Sequence, residues 1–325
     1  MSASPIVDLL QEHIAEGRLP GAVLGIADSG GVRELIALGA DESRPFAADD
    51  RFALYSISKA MTALAVLRAV ERGQVSLLDE LGPALGADVH RGVTLEHLLS
   101  HRSGIREEHG DWYRDGVERL RRGETLVPPG TAVQYSTLAF AGAAAILEHA
   151  TGRDLEQHLA ELGEAVGAPG PSFDARGARA VRGGEAVDLD HERMLPFRHP
   201  GAGLFASAET LLGLAGGLLR AARGERDGVL RPETLAAARR PLGLGLPVLS
   251  SDPDRGQRWG LGLALLDDVR GLLDQDGFGH AGWSGTQWWL HPSRDRAWVL
   301  LTNVVEAEQF GVDWLRVRNA AAASG

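Results

Sequence analysis

The sequence predicts an α+β fold in which one antiparallel sheet is built from both ends of the chain and an all-helical part is inserted between them. Strand signals cluster at the two termini: a hairpin pattern occupies residues 22–38, and four strand-like runs follow Trp259. The most apolar helical patterns, starting near residues 56 and 138, lie between them. Divided by these signals, residues 1–50 and 255–325 make an α/β subdomain and residues 51–254 a helical one. The 325 residues run somewhat beyond the size at which a single core stops growing, so one large or two intimately packed domains are expected.

Residues 6–16 set Ile6, Leu9, Leu10 and Ile14 at helical spacing and stop at Gly17. Pro20-Gly21 then opens a strand, and the apolar runs 22–27 and 32–38 flank the turn Asp28-Ser-Gly-Gly31, a hairpin signal. From Ser56 to Gly73 the apolar residues Ile57, Ala60, Met61, Ala63, Leu64 and Leu67 surround the axis, which marks a buried helix. Residues 77–83 read as a connecting turn, and residues 93–104 as a helix capped by Thr94 and stopped by Gly104. Residues 138–150 form an Ala-rich buried helix ended by Thr151-Gly152, with a weaker helix to about residue 166. Residues 207–222 make a further helix with Ser207 as its cap. The stretches 167–203 and 223–258 lack a period and are too long for plain connections, so they read as lids or disordered loops. Residues 260–266, 279–282, 286–290 and 296–303 form a strand meander with turns at Asp276-Gly277 and residues 292–295. A helix over residues 307–323 closes the chain.

Composition removes several functions. A formal charge of -11 with scattered arginines would repel phosphate backbones, so no nucleic acid partner is expected and the substrate is small. No apolar run approaches the ~20 residues that cross a bilayer. Cysteine is absent, which excludes disulfides, thiolate metal sites and a cysteine nucleophile. His97 and His101 stand four apart like a helical zinc pair, but no third ligand has a matching spacing. Packing and compensation of the helix C-terminal dipole are the preferred reading, with no metal or other cofactor implied. The first ten residues lack a basic region and a long apolar run, which predicts a cytoplasmic protein.

The chemistry centres on Ser56-Ile-Ser-Lys59. Three residues is close to one helical turn, so the Lys59 amine lies within reach of the Ser56 hydroxyl. A serine hydroxyl is a weak nucleophile until a base takes its proton, and a helix start favours the resulting anion. An N-cap serine followed by a solvated lysine would look the same in a short window. The apolar surroundings argue against that, because a buried first-turn lysine is costly unless paired or functional.

Two further strings follow in order, Tyr135-Ser-Thr137 and His280-Ala-Gly282, with Leu98-Leu-Ser-His-Arg-Ser-Gly104, Trp259-Gly-Leu-Gly-Leu263 and Thr302-Asn303 around them. With them the chain, from about Pro20 to Asn303, resembles the serine β-lactamase superfamily, and within it the class C β-lactamase and family VIII carboxylesterase branch. The resemblance implies a β-lactamase-like fold with the site in the cleft between the subdomains. It implies that Ser56 is acylated, that Lys59 and Tyr135 share the proton of its hydroxyl, and that the backbone N–H groups of Ser56 and Trp283 form the oxyanion hole. Which of Lys59 and Tyr135 is the base stays open. Gly282 would allow close approach of the acyl group, with Thr137 and His280 facing substrate. Taken singly, Tyr135 could be a loop aromatic, His280 a satisfied core histidine, and Trp259, Trp283, Trp288 and Trp289 core or groove walls.

Two positions depart from the family pattern. Thr137 stands where the family has Asn, whose amide would bond an acylamino group, and Thr offers one hydroxyl. His280 stands where β-lactamases usually carry Lys, a fixed positive charge. Both departures weaken the case for β-lactams and leave acyl transfer intact. The leading expectation is therefore a serine hydrolase of esterase type acting on a small ester or amide. The rivals are a β-lactamase or D-Ala-D-Ala carboxypeptidase, an acyltransferase of secondary metabolism, and a non-catalytic binding protein. The last would be expected to have lost Ser56, Lys59 or Tyr135, and none is lost.

Overall fold

In the computed structural model, residues 4–249, 258–266 and 274–324 are described. The N-terminal helix α1 (Pro5–Ala15) leads into the hairpin β1 (Gly21–Asp28) and β2 (Gly31–Gly39). A short strand β3 (Arg51–Ala53) precedes α2 (Ile57–Glu71), followed by α3 (Leu81–Leu85), α4 (Leu95–Leu99), α5 (Gly116–Arg122), α6 (Leu138–Thr151), α7 (Leu155–Glu164) and α8 (His191–Met194). The chain continues through β4 (Phe205–Ser207), α9 (Ala208–Ala222), α10 (Pro232–Ala238), β5 (Ala264–Leu265), β6 (Phe278–Ala281), β7 (Gln287–His291), β8 (Arg296–Leu301) and α11 (Trp314–Ala323).

Six strands form one antiparallel sheet in the order β2-β1-β8-β7-β6-β5. The two chain ends meet at β1 and β8, where Val23 pairs with Leu301 and Ala27 with Ala297, so the expected sheet from both termini forms. Residues along β1 alternate between two apolar layers, as strand geometry requires. Val23 packs with Val299, Leu301 and the α9 residues Leu211 and Leu212. Leu24 packs with Trp298, Leu300 and residues of α1 and α11 such as Leu10 and Val317. Helices thus cover both faces, which is why β1 is buried nearly throughout. Helix α9 lies within the stretch assigned to the helical part yet packs on the sheet. Trp288 of β7 ties them together by donating its indole N–H to Leu211 O at 2.9 Å. The subdomain boundary expected between residues 254 and 255 lies outside the described residues. No helix among the described residues is long and apolar enough to cross a membrane.

Several elements differ from expectation. The helix predicted over residues 93–104 ends at Leu99, because His101 adopts a left-handed conformation (φ 59°) before Gly104 does the same. The predicted turn over 77–83 runs into the short helix α3, α8 and α10 occupy stretches read as lids or loops, and α5 forms where no element was predicted. Of the strand predicted over 260–266 only β5 remains. Gly262 turns the backbone with φ 73°, and a Cβ there would lie 2.1 Å from Ala63 Cβ, so this turn rests directly on α2. The closing helix is interrupted by Gly311 (φ 88°) and restarts where Asp313 accepts hydrogen bonds from the N–H groups of Leu315 and Arg316. The pairing of β3 with β4 was not legible in three-residue runs.

That small sheet matters because β3 leads to Ser56. It is anchored by buried Arg179, whose N–H donates to Arg51 O at 2.8 Å. Its guanidinium donates to Asp50 at 2.7 Å, contacts Asp41 at 3.0 Å and stacks 4.3 Å from the Phe46 centroid. Burial pushes both carboxyls up, but hydrogen bonds from Ser43 and Arg179 on Asp41, and from Arg44, Ala47 and Arg179 on Asp50, outweigh it. Both carboxyls are held below the usual range, so their contribution to stability is present above about pH 4 and is lost as pH falls further. Arg179→Ala is expected to destabilise by about 3–5 kcal/mol at neutral pH, as stranding a buried charge does. Urea unfolding should show the difference narrowing below about pH 4; a loss under about 1 kcal/mol at neutral pH would contradict this account.

Candidate active site

Ser56 sits at a forced turn. The chain leaves β3, Leu54 N–H donates to Leu204 O at 2.8 Å, and Tyr55 then takes a left-handed conformation with φ 44°. A non-glycine residue there costs free energy and persists only where its surroundings hold it. Tyr55 is held by burial, by a 3.0 Å hydrogen bond between its hydroxyl and His191 Nδ1, and by edge contact with Trp283. The turn places Ser56 as the N-cap residue of α2 and Lys59 in its first turn.

Lys59 is fully buried, and its Nζ donates to Ser56 Oγ at 3.1 Å and to Gly201 O at 2.9 Å. It also lies 4.8 Å from the centroid of the Tyr135 ring, while the Tyr135 hydroxyl donates to Ser56 Oγ at 2.8 Å. One serine oxygen thus meets an amine and a phenol at hydrogen-bond distance, close enough to pass a proton either way.

The Tyr135 loop is fixed from two sides. Gln134 N–H donates to His101 O at 2.8 Å, and Ser136 N–H donates to His101 Nδ1 at 3.0 Å. His101 Nδ1 is therefore an acceptor, and the ring packs 4.7 Å from Tyr135 and 4.6 Å from Trp259. Glu107 accepts from the N–H groups of Thr137 and Leu138, each at 3.1 Å, and so caps α6. Burial pushes its carboxyl up, against the opposing pull of Ser136, Leu138 N–H and Lys59. His97 is elsewhere: its Nδ1 accepts from Thr94 N–H at 3.2 Å, a cap at the start of α4. The expectation that this histidine pair compensates a helix C-terminus is therefore corrected. One residue caps the N-terminus, and the other lies past the helix and supports Tyr135.

On the sheet side, β6 delivers His280, whose Nδ1 donates to Ala281 O at 2.7 Å; a carbonyl only accepts, so Nδ1 carries the proton. Its ring lies 6.3 Å from Tyr135 and 5.5 Å from Trp259. The β6–β7 turn is bonded to the turn before Ser56, with Ser284 Oγ donating to Ala53 O at 3.2 Å and Thr286 Oγ1 to Leu54 O at 3.4 Å. Gly282 is confined there: a Cβ would lie 2.1 Å from Thr286 Oγ1 and 2.3 Å from Leu54 O. Gly282 N–H donates to Thr286 O at 2.7 Å, whereas the N–H groups of Ser56 and Trp283 donate to no partner among the described residues. Thr137 is the N-cap residue of α6, with its methyl against Gly201. Lys59 and Tyr135 therefore converge on Ser56, His280 lies beside Tyr135, and the turn carrying Gly282 and Trp283 is bonded to the backbone just before Ser56, while Thr137 follows Tyr135 at the start of α6.

A family model described as Beta-lactamase matches residues 6–322. The chain belongs to the beta-lactamase family. It is 30% identical to Esterase EstB of Burkholderia gladioli over 96% of this chain and 93% of that protein. It is 28% identical to Penicillin-binding protein 4 of Amycolatopsis lactamdurans over 93% of this chain and 85% of that one. The fold is that of a solved structure described as EstCE1, a hydrolase with promiscuous acyltransferase activity, at TM-score 0.76, 22% identity and 98% coverage of both chains.

Sequence reading missed Tyr55, Glu107, His199 and Gly201. The first was marked only by adjacency to Ser56, and the others join the site through folding alone. His199 is fully buried, and its Nδ1 accepts from Gly201 N–H at 3.1 Å. Burial, aided by Lys59 and opposed by Asp115, pushes its imidazole down to about 3. A histidine depressed in the folded state contributes stability that is complete above its unfolded value near 6.5 and is lost as pH falls toward the folded one. His199→Asn is expected to flatten the slope of unfolding free energy against pH between about 6 and 4 by one proton, roughly 1.4 kcal/mol per unit. Urea titrations over that range check it, and an unchanged slope would contradict it.

Proposed function

We propose that the protein is a serine esterase that cleaves a small ester or amide through an acyl-Ser56 intermediate. The observation that carries this is the convergence of Lys59 Nζ and Tyr135 OH on Ser56 Oγ in a site closed to water on the lysine side. Ser56 Oγ attacks the carbonyl carbon while its proton passes to the Lys59–Tyr135 pair, which acts as one titrating unit. The developing oxyanion accepts from the N–H groups of Ser56 and Trp283, contacts of a kind worth about 3 kcal/mol each. The pair returns the proton to the departing alkoxide or amine. Water then attacks the acyl carbon by the reverse path, giving its proton to the same pair and releasing the acid and Ser56.

The identity to Esterase EstB supports the esterase reading. Thr137 and His280 support it from the site: neither offers the side-chain amide or fixed cation suited to a β-lactam. Turnover of p-nitrophenyl acetate or butyrate is therefore expected to exceed that of nitrocefin in kcat/KM. Faster nitrocefin hydrolysis would favour the lactamase or peptidase reading, to which the likeness to Penicillin-binding protein 4 lends weight. Acyl transfer to an alcohol or amine uses the same intermediate, and the structural likeness to a hydrolase with acyltransferase activity keeps it as the second reading. Added alcohol that diverts product from acid to ester would favour it.

The proton-transfer unit has its own test. Ser56→Ala should abolish labelling by a fluorophosphonate, and Lys59→Ala and Tyr135→Phe should each lower turnover by at least about 100-fold. The double variant should lose little more than either single one. A double variant whose loss is the product of the two would show that they act in separate steps.

A further inference from the structure

We propose that His199 is a positioning residue that aims the Lys59 amine at Ser56 by way of Gly201. This rests on the reading of Lys59 as a partner in proton transfer. The loop from His199 to Leu204 is bonded to α2 and the turn before it. Thr62 Oγ1 donates to Pro200 O at 2.8 Å, Lys59 Nζ to Gly201 O at 2.9 Å, and Leu204 N–H to Ser58 Oγ at 3.1 Å. His199 holds the loop from within. Its carbonyl accepts from the N–H groups of Ala202 at 3.0 Å and Gly203 at 2.7 Å, and its ring Nδ1 accepts from Gly201 N–H at 3.1 Å. Gly201 has no slack on its other side, since a Cβ there would lie 2.7 Å from Thr137 O. The ring holds the peptide plane before Gly201 through its N–H, and the His199 carbonyl holds the plane after it through Ala202 N–H; with both planes fixed by His199, the Gly201 carbonyl faces Lys59. That carbonyl takes one amine hydrogen and so sets which way the remaining face of Nζ points.

Packing alone does not explain a histidine here. Because Nδ1 accepts, the neutral ring carries its proton on Nε2, and Nε2 is buried without a hydrogen-bond partner among the described residues. A Cβ at Gly116 would lie 3.6 Å from Nε2 and 2.5 Å from Ala141 Cβ, so the ring fits closely against the start of α5. An aliphatic side chain would remove that orphan donor, whereas only an acceptor at the Nδ1 position can hold Gly201. Packing and positioning thus rank substitutions in opposite order. Leucine keeps much of the bulk, removes the orphan donor and lacks the acceptor. Asparagine is smaller and carries an amide oxygen that can stand where Nδ1 stands.

The experiment measures kcat and KM for p-nitrophenyl acetate on the full chain and its variants, with the rate of fluorophosphonate labelling as a second readout. His199→Leu is expected to lower kcat and the labelling rate by about ten- to a hundredfold with KM little changed, the effect of a misaimed proton acceptor. His199→Asn is expected to recover most of that loss. Thr62→Val, which frees the same loop at Pro200, is expected to lower kcat in the same direction and decides the matter if His199→Leu does not fold. Wild-type kcat in His199→Leu, or in Thr62→Val where that variant must decide, would overturn the proposal. So would a His199→Asn rate no better than that of His199→Leu. Ser56→Ala serves as the control: if it still turns over ester, the reading of the site falls and takes this proposal with it. If Ser56→Ala is inactive and His199→Leu is not impaired, only the role of His199 falls.

Discussion

A primary amine sealed from water is the constraint on which this structure depends. Lys59 sits in the first turn of a helix that is apolar on nearly every side, where a polar head without partners would be expensive. Its partners come from distant parts of the chain. Gly201 O lies 142 residues away in sequence and Tyr135 supplies a ring face, while only Ser56 is local. Satisfying this amine fixes the loop before β4 and the loop before α6 against the N-terminus of α2. The arrangement that pays for burying Lys59 is also the one that surrounds Ser56 Oγ with proton carriers.

The second requirement is that the sheet and the helices agree on where Ser56 lies. Hydrogen bonds from Ser284 and Thr286 to the carbonyls of Ala53 and Leu54 fasten the β6–β7 turn to the backbone just before the serine. The N–H groups of Ser56 and Trp283 are held by the same fastening, and Gly282 keeps it close because a side chain would meet Leu54 O. Arg179 anchors β3 on the far side of that turn. The left-handed Tyr55 is thus fixed at both ends, which is how its strained backbone is maintained.

What was legible in the sequence followed from local rules. Alternating apolar runs exposed the terminal strands, all-round apolar character exposed α2 and α6, and a spacing of three put Ser56 and Lys59 on one helix face. Tyr135 and His280 were readable only as members of an ordered set of motifs. The partners of those residues were not readable. Glu107 was one of two adjacent glutamates in a polar stretch, and His199 lay in a segment without period; each gains its role from a backbone N–H brought to it by the fold. The histidines at 97 and 101 show the opposite error. Their spacing suggested a shared helical face, but the helix ends at Leu99, and the two rings serve different elements. Long-range hydrogen bonds leave no periodic trace, so the residues that hold a site are harder to find than those that line it.

The account stands on covalent chemistry at one atom, and mass spectrometry tests that atom directly. The protein, mixed with excess p-nitrophenyl acetate and quenched in acid within its first turnovers, should gain the mass of one acetyl group. Peptide mapping should place that group on Ser56, and the Ser56→Ala protein should gain none. Ester turnover with no adduct on Ser56, or with the acetyl group on another residue, would contradict the account.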